Sequence, residues 1–201
     1  TRSCFVSWAR VDDTVLEGIA DEDPDQVLLG WDGKRAQQGR VFGPNLDAVV
    51  EDAPCEVTLV TFHDDTIGAP VALAGPGPHS SVAARRAAEF ASVDGAVPTL
   101  LNVQQPAGDD DAAADRGNAV IDDVAEQAGL DPDAYEREVV VDDDIEAAIL
   151  ATVDQYNTVC VGLSERSVAS RVMVGTIAER VSQEATSNVG IVRGSDGSAE
   201  E

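Results

Sequence analysis

The sequence predicts an α/β protein built on a doubly wound, parallel, five-stranded sheet, with a truncated half-copy of the same fold in front of it. Three observations carry this. Short continuous apolar runs such as Val71-Ala72-Leu73-Ala74 and Val159-Cys160-Val161-Gly162 have the character of strands buried on both faces. From residue 70 onward such runs alternate with helical patterns, an order that gives a parallel sheet with right-handed crossovers. A unit of strand, glycine loop, helix and strand also occurs twice, once in each part of the chain.

Taken in order, residues 3–11 favour a strand through Phe5, Val6, Trp8 and Val11, whose side chains suit a pleated, half-buried surface. Asp12-Asp13 can cap a helix to about Glu22, with Val15, Leu16 and Ile19 on one face and Pro24 beyond its end. Val27-Leu28-Leu29-Gly30 reads as a buried strand, and Trp31 to Gly43 as a glycine-bearing loop. Leu46, Val49 and Val50 mark a helix that ends near Ala53-Pro54, and Cys55 to Phe62 is a strand. The polar connector from His63 to Pro70 holds the expected boundary. It divides the chain into residues 1–66, residues 67–194 and an acidic tail at 195–201.

The second part is fuller. Val71 to Ala74 is a strand and Gly75-Pro76-Gly77-Pro78 a turn, after which Ser80 or Ser81 can cap a helix from Val82 to Ser92. Pro98 to Val103 is a strand and 104–111 a solvated loop. Ala112 to Gly129 is a helix with Val120, Ile121 and Val124 inward and Gly129 just past its end. Tyr135 to Val141 is a strand. Asp142-Asp143-Asp144 opens a helix carrying Ile145, Ala148, Ile149 and Val153, its acids suited to the positive end of the helix dipole. Strand 159–162, a glycine loop, a helix from Gly175-Thr176 and strand 189–192 complete the chain.

Charge excludes some partners. The chain carries 38 acidic and 13 basic residues, a net charge of −25, and Lys34 is its only lysine. Such a surface repels nucleic-acid phosphates and anionic membranes. The composition resembles that of proteins from salt-loving archaea, whose carboxylate surfaces stay soluble in brine. No run approaches the length of a membrane span, no signal peptide is expected, and the absence of an initial Met suggests a fragment or a processed chain. Cys4, Cys55 and Cys160 are far apart and outside any Cys/His cluster, so no metal site is expected; Cys4 and Cys160, in apolar strand-like runs, suit buried reduced thiols of a cytoplasmic protein. His63 and His79 lie in loops without a triad pattern, and no catalytic residues emerge. Asp109-Asp110-Asp111 and Asp142-Asp143-Asp144 lack the spacing of an EF-hand, so helix capping and a loose ion atmosphere describe them.

The repeat aligns without a gap over its core. Gly30 matches Gly162, Gly43 matches Gly175, Ala53 matches Ala185, and Val57 to Val60 match Val189 to Val192. The preceding helix and strand recur as well, with a small length difference expected. The first copy holds only the last three strands of the second, so it is expected to pack on the second copy or be completed by other residues.

These residues resemble the universal stress protein family, a Rossmann-like fold with the motif Gly-x2-Gly-x9-Gly-Ser/Thr after its fourth strand. The first copy reads Gly30-x2-Gly33-x9-Gly43-Pro44 and the second Gly162-x2-Glu165-x9-Gly175-Thr176. Val174 to Val181 and the terminal strand Val189 to Val192 are also similar to the family's C-terminal signature. The resemblance implies ATP or AMP as ligand, with Gly162, Glu165, Gly175 and Thr176 as the phosphate loop. Three departures favour an architectural role. No Asp lies between Val71 and Ser81, where ATP-binding members carry one; Glu165 would repel phosphate at the middle glycine; and Pro44 lacks an N–H donor.

The wording Gly30-Trp31-Asp32-Gly33 and Phe42-Gly43 resembles the tandem domains that follow archaeal cationic amino-acid permeases. The resemblance implies a regulatory or sensing domain of a membrane transporter, tethered at the inner face of the membrane. The alternative is a free-standing stress protein that binds ATP or AMP. Family members commonly pair through their last strands, here Val57 to Val60 and Val189 to Val192, as a dimer or as a pseudo-dimer within the chain.

Overall fold

The computed structural model describes residues 13–32, 42, 44–106, 110–163 and 177–195. Its strands are β1 (Gln26–Gly30), β2 (Glu56–Thr61), β3 (Pro70–Leu73), β4 (Thr99–Gln104), β5 (Glu136–Val141), β6 (Thr158–Gly162) and β7 (Asn188–Arg193). Its helices are α1 (Asp13–Glu22), α2 (Pro44–Asp52), α3 (Ser80–Asp94), α4 (Asp110–Ala128), α5 (Ile145–Val153) and α6 (Ile177–Glu184). The predicted strand at 3–11 lies outside the described residues.

The strands form one sheet in the order β1-β2-β7-β6-β3-β4-β5. Strands β3 to β7 make the five-stranded parallel unit that the sequence predicts, with β3 at its centre. Among the described residues the sheet nevertheless has seven strands, because β2 hydrogen-bonds to β7 and brings β1 with it. Among the described strands the β2–β7 pair is antiparallel and the other pairs are parallel. Five was the count of one copy; backbone pairing between the two last strands extends it.

The recurrence is closer than the sequence suggests. Gln26 and Gly30 bound β1 as Thr158 and Gly162 bound β6, and Asp13 opens α1 as Ile145 opens α5: a constant offset of 132 residues. The expected length difference is therefore absent from α1 onward. The register shares this symmetry. Leu59 pairs with its own counterpart Ile191, and Val57↔Arg193 mirrors Thr61↔Val189. A local two-fold axis passes through the Leu59–Ile191 pair.

Helix ends follow local chemistry. The Asp144 side chain caps α5 by accepting from the Ala147 N–H at 3.1 Å. Helix α3 begins earlier than expected, with His79 at the N-cap position and no side-chain cap; Ser80 already belongs to the helix, its N–H donating to the Gly77 carbonyl at 3.2 Å. Gly95 ends α3 in the left-handed region (φ 66°), where a Cβ would be strained, and donates back to the Ala91 carbonyl.

Two apolar layers sandwich the sheet. One is continuous across both copies, with Val49 of α2, Val57 and Leu59 of β2, Val181 of α6 and Ile191 of β7 all within one cluster. The other joins Val82 and Ala87 of α3 and Ile121 of α4 to Ala72, Leu100 and Cys160 of the sheet. Each such Val, Leu or Ile side chain contributes about 1.5–3 kcal/mol on burial.

Two buried arginines lock the copies together. Arg86 of α3, 2% exposed, donates to Thr58 Oγ1 at 3.1 Å and to Glu56 Oε2 at 3.1 Å, both on β2, and pairs with Glu89. Arg85 also pairs with Glu56. Arg193 of β7 donates through Nε to the Val50 carbonyl at 2.8 Å and through NH2 to the Ala53 carbonyl at 2.5 Å. It thereby satisfies carbonyls at the C-terminal end of α2, where the helix dipole favours a cation.

Candidate functional site

In a doubly wound sheet, ligands bind outside the carboxyl ends of the strands where the strand order reverses. Here the chain runs from β3 to β4 and β5 on one side and returns to β6 and β7 on the other, so the switch point lies between β3 and β6. The turn after β3, the N-terminus of α3 and the end of β6 border it.

Gly162 ends β6 at this point. A Cβ there would stand 2.7 Å from the carbonyl carbon of His79 and 2.8 Å from its oxygen, so the β3–α3 turn packs directly on the end of β6. Only glycine admits so close a backbone. The His79 carbonyl accepts from Ala83 N at 3.0 Å as α3 begins, and His79 Nδ1 accepts from the Gly194 N–H at 3.2 Å. The turn is thus pinned both to β6 and to the chain leaving β7. On the other side, buried Asn102 of β4 donates through Nδ2 to the Ala74 carbonyl at 2.7 Å and accepts from Gln104 Nε2 at 2.7 Å. Asn102 and His79 are positioning residues of this mouth that the sequence reading did not select. The signal for Asn102 was an amide inside the apolar run Leu100-Leu101-Asn102-Val103.

Of the predicted phosphate loop, the structure places Gly162. Glu165, Gly175 and Thr176 lie outside the described residues. Within the described rim, the Ser80 N–H is already bonded to Gly77, and Arg85 and Arg86 of α3 are engaged by Glu56 and Glu89.

The first copy has the same frame. Trp31 N donates to the Val60 carbonyl at 2.9 Å, as Leu163 N does to the Val192 carbonyl at 2.8 Å, again 132 residues apart. Beyond Gly30 the two diverge. Trp31 and Phe42 are buried in an edge-to-face pair with ring centroids 5.1 Å apart, and the Thr61 hydroxyl donates to the Trp31 carbonyl. Apolar rings thus occupy the start and end of that loop. Gly33 and Gly43 lie outside the described residues.

Among the described residues, both cysteines, Cys55 and Cys160, are buried and free. Burial pushes the Cys160 thiol up to about 12, outweighing the attraction of Arg86, and burial also raises Cys55. Tyr156 is raised by burial and by its hydrogen bond to Glu138 at 2.5 Å, so its hydroxyl stays protonated. Among the described residues, no cluster of three or more His, Cys, Asp or Glu side chains is placed to hold a metal. A cavity of about 350 Å³ lined by Phe62, His63, Asp64 and Asp65 sits on the β2–β3 connector, apart from the switch point.

The sequence profile of the universal stress protein family matches residues 3–61 and again residues 69–193. The chain belongs to the universal stress protein family. Solved structures agree on the fold. A universal stress protein from Archaeoglobus fulgidus is 19% identical with a TM-score of 0.60, the match covering 90% of this chain and 66% of that one. A functionally unknown protein from Pseudomonas aeruginosa is 16% identical with a TM-score of 0.59, covering 96% and 71%. A universal stress protein solved in complex with cAMP is 21% identical with a TM-score of 0.52, covering 64% of this chain and 98% of that one. This chain thus spans about two thirds of the length of the first two. No curated protein matches its sequence.

Proposed function

We propose that this universal stress protein domain is a non-catalytic regulatory or sensing module, joined in the full-length protein to a membrane transporter of cationic amino acids. One observation carries the regulatory reading: the His79 backbone stands 2.7 Å from where a Gly162 side chain would begin, so the packing of the β3–α3 turn on β6 is by itself a reason for this glycine. The same glycine spacing then serves turn geometry and strand pairing. Protonated thiols and the absence of an Asp after β3 support a role without chemistry. The two copies, paired through β2 and β7, act as a pseudo-dimer that transmits a signal to the attached transporter.

No helix among the described residues is long and apolar enough to cross a membrane, so the tether belongs to another part of the polypeptide. The wording Gly30-Trp31-Asp32-Gly33 supports the permease as that part. The acidic surface suits a salt-rich cytoplasm on the inner face of the membrane. Fractionation tests the attachment: an antibody against residues 1–201 should find the native protein in membranes, resistant to a carbonate wash and released by detergent. Recovery in the soluble fraction would refute it.

A second reading, nucleotide binding as a free-standing stress protein, is favoured by the relative solved with cAMP. A rise in melting temperature with ATP, AMP or cAMP in molar salt would support it, and no shift with any of the three would remove it.

A further inference from the structure

Among the described residues, the exposed large apolar side chains are Leu28, Phe62, Val93 and Val97. The last three share one end of the sheet, opposite the switch point. Strand β2 reaches that end at Thr61, which pairs with Val189 at the start of β7, and there α3 ends and β4 begins. Phe62 is the most exposed of them, at 68%. With His63, Asp64 and Asp65 it lines the cavity of about 350 Å³ on the β2–β3 connector.

The connector that displays Phe62 is held in shape from several sides. Buried Asn188 of β7 accepts through Oδ1 from the His63 N–H at 2.8 Å and the Asp64 N–H at 2.9 Å, and donates through Nδ2 to the Thr66 carbonyl at 2.9 Å. The Thr158 hydroxyl of β6 donates to the Ile67 carbonyl at 2.8 Å, and Asp94 at the end of α3 accepts from the Gly68 N–H at 2.9 Å. That last bond also joins the connector to the stretch carrying Val93 and Val97. Side chains from β6, β7 and α3 thus fix a loop whose aromatic ring stands in water. A ring presented by a preformed loop loses little freedom when a partner covers it, and aromatic anchors of this kind carry much of the energy of an interface.

Charge chooses the partner. The loops at this end, 62–69, 94–98, 129–135, 154–157 and 185–187, hold Asp64, Asp65, Asp94, Asp131, Asp133 and Asp154, all exposed, and no lysine or arginine. Such a face repels an anionic lipid surface, and it repels a second copy of a chain whose net charge is −25. It attracts a basic segment, and the cytoplasmic loops of membrane proteins carry an excess of lysine and arginine. We infer that this face docks a basic cytoplasmic loop of the attached transporter, an apolar residue of that loop lying against Phe62 and its cations against Asp64 and Asp65. The inference rests on the transporter reading and adds to it the surface through which the module touches its transporter.

The test uses the full-length gene product in its native membranes. Phe62→p-benzoylphenylalanine supplies a photocrosslinker, and Asp143→p-benzoylphenylalanine, at the other end of the sheet, is the control. Irradiation should join position 62, and not position 143, to a segment bearing lysine or arginine beside a membrane span of the same polypeptide. Synthetic peptides of each cytoplasmic loop of that gene product are then titrated against residues 1–201 by fluorescence anisotropy. Asp64→Asn with Asp65→Asn should weaken the binding of one loop by about tenfold or more. Asp115→Asn with Asp143→Asn, which removes the same charge from exposed sites at the other end, should change it by less than about twofold. Asparagine keeps the side-chain oxygen that accepts from the Thr66 N–H, and the peptide arm stands on its own if the crosslinker at 62 disturbs folding. Crosslinks from 62 to lipid, to a second copy or to a segment without basic residues overturn the inference. So does equal weakening by the two pairs, which is attraction to bulk charge alone. A membrane-bound protein with no crosslink from 62, or whose loop peptides do not bind, overturns the docking and leaves the transporter reading standing. Recovery of the full-length protein in the soluble fraction refutes that reading first, before any crosslinking, and removes this occupant with it.

Discussion

Arg193→Met tests the lock between the copies. Arg193 is 4% exposed and gives two hydrogen bonds, at 2.8 and 2.5 Å, to the carbonyls of Val50 and Ala53 at the end of α2. Methionine keeps most of the apolar stem and removes the guanidinium. Each charge-assisted bond is worth about 1.5–3 kcal/mol. Against this, the variant no longer desolvates a buried cation, which offsets part of the loss. The loss should win, because carbonyls at a helix C-terminus have no intrahelical partner and these two end beneath β7. The net expectation is a destabilisation of about 2–4 kcal/mol. With a urea m-value of about 2–3 kcal/mol/M, the unfolding midpoint should fall by about 1–2 M. Urea titration in molar salt, followed by circular dichroism, measures it, and hydrogen exchange should locate the loosening in α2 before α4. A loss under about 0.5 kcal/mol, or loosening that spares α2, would refute the reasoning.

Three further outcomes follow from the same geometry. Gly162→Ala places a methyl 2.7 Å from the His79 backbone and should cost about 1–3 kcal/mol by thermal unfolding, whereas Gly30→Ala, with nothing within 4 Å, should stay within about 0.5 kcal/mol; equal effects would contradict the packing of the β3–α3 turn on β6. The folded chain holds the Cys160 proton up to about 12 while the unfolded thiol releases it near 9.0, so this group's contribution to stability is complete below pH 9 and is lost as pH rises toward 12. Unfolding free energies should therefore fall more steeply over that range in the wild type than in Cys160→Ala, and parallel slopes would contradict it. With a net charge of −25, the melting temperature should rise from 0.1 to about 2 M potassium chloride as self-repulsion is screened; a flat response would mean that the acids are locally compensated.

Much of the fold was legible because its signals are local. The apolar run Val159 to Val161 needed only its own residues to read as a buried strand, and Asp144 announced the start of α5 from its place before Ile145. The repeat was visible because Gly30 and Gly162 keep their offset. What escaped was set by distant partners. Arg86 and Arg193 look like surface charges in the sequence, yet they are buried by contacts 28 and 143 residues away. The strand count of five was that of one copy; β1 and β2 were read as strands, but whether their sheet joins the other is set by the pairing of β2 with β7, which the residues of neither strand fix alone. At the candidate site, the spacing that picked out Gly162 could not tell a phosphate cradle from a tight turn, and it could not show that the His79 backbone packs against this glycine. Asn102 and His79 were missed because their partners, the Ala74 carbonyl and the Gly194 N–H, come from other strands' ends.

One seam, the antiparallel pairing of β2 with β7, joins two repeats of the universal stress protein fold into one sheet. Cross-strand Hα–Hα contacts in the NMR spectrum of residues 1–201 test it most directly. They should follow the register from Val57↔Arg193 through Leu59↔Ile191 to Thr61↔Val189, and persist within single chains when labelled and unlabelled protein are mixed. Contacts in another register, or contacts seen only between labelled and unlabelled chains, would contradict it.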